Sequence, residues 1–261
     1  MTEPALSIGQ VSAGETRSDH EPTSGGKPCN SLRALFEVVI CSGFPTQLSL
    51  ALLLNMLGLS GTTSLDGQLS FLYVTILSIA DTILIVGLIC YFLSVNGESV
   101  WRLITGGLSV KKEALLGLVL IPLLVVGAAS GLLLLRAIAP GLHNIAENPL
   151  ASILDSPARA LAFGLVAIIA GGIREEMQRA FILHRFEHHL GGPWLGLLVF
   201  STVFGLGHYV QGFDAAIITG ILGIVWGVLY LKRRSAIAAM VSHSGFNSVE
   251  IIIAVAASQS L

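Results

Sequence analysis

Charged residues are scarce in this chain: Asp, Glu, Lys and Arg make up 11% of its 261 residues, whereas 53% are hydrophobic. A soluble domain normally carries about 25% charged residues. The composition therefore excludes an ordinary soluble domain and indicates a protein that crosses a membrane several times. Long apolar runs without strand-like alternation also exclude a membrane β-barrel, so an all-α fold is predicted.

Other familiar signals are also missing from the sequence. The formal net charge is only -2, which gives no reason to expect nucleic acid as a partner. Cys29, Cys41 and Cys90 show no C-x-x-C spacing, so a disulfide or metal site built on them is not expected. No phosphate-binding glycine loop, nucleophilic Ser or Cys pattern, or heptad stands out.

Seven stretches are long enough to cross an apolar core of about 30 Å, for which a helix needs about 20 residues. They cover residues 34–58, 70–93, 113–135, 158–183, 195–211, 214–231 and 236–257. The expected fold is a polytopic transmembrane bundle of about seven to eight helices. Its surroundings are the lipid bilayer, and the sequence gives no indication of the oligomeric state.

The chain is predicted to have three parts. Residues 1–30 are rich in Ser, Gly, Thr, Pro and charge, and we expect a disordered cytoplasmic tail. Residues 31–155 are expected to form N-terminal transmembrane helices, and residues 156–261 a second group that carries the polar motifs. Lys and Arg near span ends fall on alternate loops, which predicts a cytoplasmic N-terminus and, with seven spans, a C-terminus outside.

Three apolar segments of the second group carry polar side chains at helical spacing. They are Arg174-Glu175-Glu176-Met177-Gln178-Arg179, Phe204-Gly205-Leu206-Gly207-His208 and His243-Ser244-Gly245-Phe246-Asn247. An ionisable side chain near the bilayer centre costs about 3 kcal/mol on insertion scales. Such residues on three separate segments therefore predict a polar cavity between helices.

The first segment can place an arginine beside two carboxylates, because Arg179 stands four residues after Glu175 and three after Glu176. Paired carboxyls in different surroundings are typical of general acid–base catalysis. The alternative is a charge cluster where the helix leaves the membrane. Two histidines on other apolar segments favour the cavity.

The three segments resemble the motifs of the CAAX prenyl protease 2 and bacteriocin-processing (lysostaphin resistance protein A-like) intramembrane endopeptidases: Glu-Glu-x-x-x-Arg, Phe-x-x-x-His and His-x-x-x-Asn or Asp. The second and third motifs match fully. The first is one residue short between Glu176 and Arg179. Either Arg179 has moved one residue closer, or Arg174 and Glu175 stand at the two glutamate positions. The first possibility is favoured, because it keeps the expected catalytic carboxylate.

The resemblance implies an intramembrane endopeptidase of a bacterial cytoplasmic membrane, with residues 156–261 as its catalytic core. Its substrate would be a membrane-associated or lipidated protein or peptide, cleaved in CAAX processing, bacteriocin processing or self-immunity. By resemblance, Glu175 is the general base and His208 its partner, His243 and Asn247 face the developing oxyanion, and Glu176 and Arg179 orient them.

Two questions stay open at this point. The mechanism can be free of metal, or Zn²⁺ can be bound by Glu175, His208 and His243, since carboxylate and imidazole are ordinary zinc ligands. The same residues would also suit an ion pathway in a transporter or channel, or a non-catalytic membrane scaffold.

A second motif follows closely in the sequence. It is His184-Arg185-Phe186-Glu187-His188, which matches the H-x-x-E-H zinc-peptidase pattern. His189 and Gly191-Gly192-Pro193 come next and indicate a helix end at the membrane surface. We therefore expect interfacial polar residues here, with a metal site as the alternative.

Three further features are read from position alone. Lys232-Arg233-Arg234 is expected to be a topology signal. Trp101, Trp194 and Trp226 lie at or near predicted span ends, where indole favours the interface. Gly117 and Gly127 are expected to serve helix contacts.

Overall fold

The computed structural model describes residues 30–62, 68–145 and 148–258. Apart from one isolated β-bridge between Thr62 and Leu69, the regular structure of these residues is helical. The all-α prediction is thus confirmed for the described part of the chain. The predicted tail lies outside the described residues except for Asn30, and the boundary near residue 155 stays a prediction.

The described residues of the first half of the chain form five helices. They are α1 Ser31–Ile40, α2 Phe44–Met56, α3 Phe71–Val95, α4 Val100–Thr105 and α5 Val110–Ile138. Several begin at a residue whose side chain accepts a hydrogen bond from the first turn. Asn30 Oδ1 accepts from the backbone N–H of Arg33 at 2.8 Å, and Ser70 and Ser99 cap α3 and α4 in the same way. Such caps satisfy backbone donors that a helix start leaves unpaired.

The second half begins with two short 3₁₀ turns and continues with longer helices. The turns are Pro140–Leu142 and Pro149–Ile153, followed by α6 Pro157–Val166, a π-helix Ala167–Arg174, α7 Glu175–His189, α8 Pro193–Leu206, a 3₁₀ turn Tyr209–Gln211, α9 Phe213–Arg233 and α10 Ile237–Ser258. Gly191 and Gly192 have φ of +90° and +104°, and Pro193 starts α8. The predicted helix end at this Gly-Gly-Pro sequence is confirmed.

The number of spans differs from the prediction. Five helical stretches of the described residues are long and apolar enough to cross a membrane: Phe71–Val95, Val110–Ile138, Pro157–His189, Phe213–Arg233 and Ile237–Ala257. The pair Ser31–Ile40 and Phe44–Met56, bent by 41°, makes a sixth if it counts as one span. The expected span over 195–211 is wrong, because α8 has only 14 residues, about 21 Å of helix. The prediction of a C-terminus outside rested on seven spans, and this number of spans is not found in the described residues.

Apolar side chains cover the outside of the bundle. Helix α5 is the clearest case, since Leu115, Leu118, Val119, Leu123 and Val126 are all more than half exposed. Exposed apolar area on this scale is unfavourable in water and matches the hydrocarbon of a bilayer. The chain is an integral, multi-pass membrane protein.

Helix α10 packs on α5 and on the π-helix, while α8 packs on α9. At Gly117 in α5, an added Cβ would lie 2.7 Å from the carbonyl oxygen of Ala238 in α10. The absence of a side chain there allows the close approach of the two helices. The prediction for Gly117 is confirmed, whereas that for Gly127 is wrong, because its missing Cβ faces open space.

The loops predicted to share one side of the membrane meet at one end of the bundle. We call residues 96–109, 184–189 and 232–236 the basic end. The backbone N–H of Ala236 donates to the carbonyl of Ile104 at 2.8 Å, and Arg185 Nη1 donates to Glu98 Oε2 at 2.6 Å. Its position in the cytoplasm stays a prediction.

Candidate active site

The candidate site begins at an irregular stretch of helix. The π-helix Ala167–Arg174 leads directly into α7, whose first two residues are Glu175 and Glu176. Short π segments inside α-helices are frequent at functional sites. Helix α10 passes very close here: a Cβ added at Gly172 would overlap Ser244, and one added at Gly171 would lie 2.5 Å from Asn247 Nδ2.

Glu176 lies in the protein interior and is fully engaged. Its side chain is 1% exposed, pairs with Arg179, and accepts a hydrogen bond from His243 Nδ1 at 2.7 Å. Arg179 is itself buried, and its guanidinium lies 4.8 Å from the ring centre of Phe204. A buried charge needs such partners, since losing them leaves it without solvation.

His243 lies between the two glutamates. Besides its bond to Glu176, its Nε2 is 3.9 Å from Glu175 Oε2. The imidazole stacks on Trp226 with 3.8 Å between ring centres and 13° between planes. Trp226 is fixed in turn by a 3.1 Å hydrogen bond from its Nε1 to Ser242 Oγ. The orientation of His243 is therefore set from two sides.

Glu175 and His208 line one cavity of about 260 Å³ between α2, the start of α7 and the end of α8. Arg174, Gln178 and Phe204 also line it. The Nδ1 of His208, in the turn after α8, lies 2.8 Å from the carbonyl oxygen of Phe204. In the neutral ring the proton therefore lies on Nδ1 and the lone pair on Nε2. A carboxylate and an imidazole from separate segments of the chain thus line one small space.

Asn247 lies one turn after His243, as predicted, but its surroundings differ. Its Nδ2 donates to the carbonyl of Ala167 at 3.4 Å, and neither Asn247 nor His243 is on the wall of the cavity. The structure therefore gathers Glu175 with His208 and Glu176 with His243 and Arg179. It leaves Asn247 against the π-helix.

The charged residues of the first motif have little exposure and different partners. Arg174, Glu176 and Arg179 are 6%, 1% and 0% exposed, so they lie inside the helix bundle. Arg179 pairs with Glu176, while the nearest cation to Glu175 is Arg174, with 3.8 Å between Nη1 and Oε1. The predicted polar cavity is present.

Residues 157–249 match the protein family described as type II CAAX prenyl endopeptidase, Rce1-like. We refer to this matched segment as the Rce1-like domain. The matched residues contain all three motifs, and the resemblance inferred from them is confirmed. No curated protein and no solved structure gives a significant match.

Membership of the Rce1-like domain in this family carries a function at the family level. The family description is that of a membrane protease, a hydrolase that acts on membrane-associated protein substrates. This agrees with the helical bundle and its apolar surface.

A buried polar network includes residues that precede the Rce1-like domain in the chain, and the sequence did not lead us to predict it. Asp81 of α3 is 2% exposed, pairs with Arg174, and accepts hydrogen bonds from Thr46 at 2.5 Å and Gln47 at 3.2 Å. It thereby ties α2 and α3 to the residue before Glu175. The signal was available, since Asp81 is the only charged residue in the predicted span 70–93.

Trp226 is a second residue that lies in the protein interior and whose position was not predicted from the sequence. The interfacial prediction fits Trp101 and Trp194, which are 67% and 62% exposed, but it is wrong for Trp226, which is 1% exposed. Trp226 lies in the middle of α9 and supports His243 and, at 5.7 Å, the guanidinium of Arg179. Hydropathy alone could not distinguish the membrane interface from the protein interior, because an aromatic ring suits both.

Proposed function

We propose that this chain is an intramembrane endopeptidase that hydrolyses a peptide bond of a membrane-associated or lipidated protein or peptide. The observation that carries the proposal is the shared cavity. Glu175 at the start of α7 and His208 in the turn after α8 line the same 260 Å³ space. Within that domain, Glu175 is the motif carboxylate with exposed area, 20% of its side chain.

Glu175 acts as the general base in this proposal. A water held between its carboxylate and His208 Nε2 gives a proton to Glu175 and attacks the scissile carbonyl carbon. The C–N bond then breaks, and Glu175 returns the proton to the leaving amine. Glu176 is not suited to this task, because Arg179 and His243 already engage its carboxylate.

His243 and Asn247 are proposed as the oxyanion donors, following the family motif. One preorganised donor in a dry site is typically worth about 3 kcal/mol. His243 Nε2 lies 3.9 Å from Glu175 Oε2. The 3.4 Å bond from Asn247 to Ala167 is at the weak end for an N–H···O contact. Catalytic hydrogen bonds often tighten only when substrate is bound, so we expect α10 to move toward the cavity in the complex.

We propose a mechanism without a zinc ion in this cavity. Among the described residues, Glu175, His208 and His243 are not gathered into a cluster of potential metal ligands with short mutual distances. The proposed reaction therefore uses side chains and water alone.

The substrate class follows from the surroundings of the cavity. The cavity opens among transmembrane helices whose outer faces are apolar, so a substrate with a lipid group or an apolar segment can reach it through the bilayer. The proposal covers this class as a whole.

Cleavage of a tagged lipidated-peptide library by the detergent-purified protein tests the proposal. Wild type is compared with Glu175→Gln and His208→Ala, each with and without a zinc chelator. We expect cleavage by wild type in both conditions and loss of cleavage in both variants.

Two matched variants serve as controls. Glu250→Gln changes an exposed glutamate of α10, and His189→Ala changes a histidine at the basic end, so both should cleave like wild type. Full activity of Glu175→Gln would remove Glu175 as the base. Loss of wild-type cleavage on chelation would contradict the metal-free mechanism.

A further inference from the structure

The H-x-x-E-H motif forms a compact cluster at the basic end. His184, Glu187 and His188 follow one another at i, i+3 and i+4 on α7 and therefore share one helix face. Each offers a nitrogen or oxygen atom that lies within 4.8 Å of the others. Imidazole and carboxylate are the ligands that Zn²⁺ prefers beside thiolate.

Hydrogen bonds on the two imidazoles prepare them as ligands. The Nδ1 of His188 lies 2.9 Å from the carbonyl oxygen of His184, which places the lone pair of the neutral ring on Nε2. His184 Nε2 lies 2.9 Å from Glu98 Oε1, which leaves the lone pair of that ring on Nδ1. A carboxylate behind a ligating histidine is the usual way in which a metal site fixes ring orientation.

Glu98 has two side-chain partners, His184 and Arg185. The Arg185 bond is 2.6 Å long. Glu98 is thus positioned by Arg185 to accept a hydrogen bond from His184 Nε2.

Glu187 already forms an ion pair with Arg234. Both of its oxygens accept hydrogen bonds from Arg234, one of them at 2.7 Å. An ionised carboxylate offers about four lone-pair sites, so Glu187 can keep Arg234 and still give one lone pair to a metal ion. Arg234 would then hold Glu187 in position, while its charge weakens the binding of any cation.

The cluster opens on a cavity that is separate from the candidate active site. This second cavity has a volume of about 600 Å³ and is lined by Glu98, His184, Glu187, His188 and Arg234. Along α7, residue 184 lies about 14 Å from residue 175 at 1.5 Å per residue. The cavity can admit a hydrated ion without disturbing Glu175.

We propose that His184, Glu187 and His188 form a binding site for a divalent transition-metal ion of the Zn²⁺ class, with Glu98 as the carboxylate that orients His184. The site goes beyond the proposed proteolysis and does not depend on it. Its ligands all come from α7, while Glu98 and Arg234 link it to the loops before α4 and after α9. An ion bound there would tie these loops to α7.

Zinc titration of the tag-free, full-length protein in detergent tests the site. The protein is stripped with a chelator, dialysed, and titrated with Zn²⁺ by calorimetry and with Co²⁺ by visible absorption. The variants are His188→Ala, Glu187→Gln and Glu98→Gln, with His189→Ala as the neighbouring control. His208→Ala serves to detect any ion bound in the first cavity.

We expect wild type, His189→Ala and His208→Ala to bind one equivalent with the same affinity. His188→Ala and Glu187→Gln should raise the Kd at least about tenfold, and Glu98→Gln by about 10- to 100-fold, the range found for partners of metal ligands. Equal affinity in His188→Ala and His189→Ala would overturn the site. So would loss of the ion in His208→Ala alone. Neither readout uses cleavage, so failure of the proteolytic proposal would appear separately.

Discussion

Replacing Gly172 by alanine should push α10 away from the π-helix and disable the site. An added Cβ would overlap the Oγ of Ser244 and lie 2.8 Å from its Cβ and 2.9 Å from its Cα. Real Cβ atoms do not approach other heavy atoms this closely, and the Cα cannot turn aside as a flexible side chain could. Relief therefore requires the two helices to separate.

The expected cost follows from overpacking, which is typically about 1–3 kcal/mol. For a chain of this size that corresponds to about 2–4 °C in Tm for each kcal/mol. The effect on cleavage should be larger than on stability. Ser244 follows His243, whose 2.7 Å bond to Glu176 would lengthen, and a misplacement of about 1 Å can cost about 100-fold in rate.

Gly127→Ala is the matched control, because nothing lies within 4 Å of the Cβ it would add. It should leave cleavage unchanged and can stabilise α5 by up to about 1 kcal/mol through helix propensity. Ser244→Gly should partly restore Gly172→Ala, since it removes two of the three closest contacts. Equal Tm and activity for Gly172→Ala and Gly127→Ala, measured by thermal unfolding and peptide cleavage in detergent, would refute the close packing of α10 on the π-helix.

Three more substitutions probe other parts of the molecule. Glu176→Gln leaves the buried Arg179 without its carboxylate and should destabilise the protein by about 3–5 kcal/mol; an unchanged thermal unfolding curve would contradict this pairing. Asp81→Asn releases Arg174 toward Glu175, 3.8 Å away, so kcat for peptide cleavage should fall while KM changes little, whereas wild-type kcat would show that Asp81 does not position this arginine. His188→Ala should cleave peptides like wild type, because it lies at the basic end; lost cleavage would place the reaction there instead.

The parts of the fold that the sequence could predict are those set by local chemistry. The all-helical bundle follows from the need to satisfy backbone groups in lipid, and Gly191-Gly192-Pro193 marks a helix end by backbone geometry alone. The span over 195–211 failed because the apolar run continues past Leu206, while the helix ends there. Hydropathy measures the environment of a segment, and it does not record where the helix stops.

For distant parts of the chain, the sequence could indicate that a polar cavity forms but not which residues pair in it. Polar residues on three apolar segments indicated a cavity, and Glu175 and His208 indeed share one. The partners of each residue depend on how helices rotate against one another. For example, Arg179 could reach Glu175 or Glu176 by spacing, and only the packed structure assigns it to Glu176. Asp81 lies 93 residues from Arg174, beyond any local pattern.

The two adjacent glutamates have different surroundings, and this bears on the shortened first motif. Glu176 pairs with Arg179 and His243, while Glu175 faces the cavity with His208. If Arg174 and Glu175 stood at the two glutamate positions, Glu175 would be the residue expected beside Arg179. The observed pairing instead favours Glu175 and Glu176 as the motif pair, with Arg179 moved one residue closer. A pair of this kind divides the work: the buried carboxylate holds an arginine and a histidine in place, and the other remains available to water.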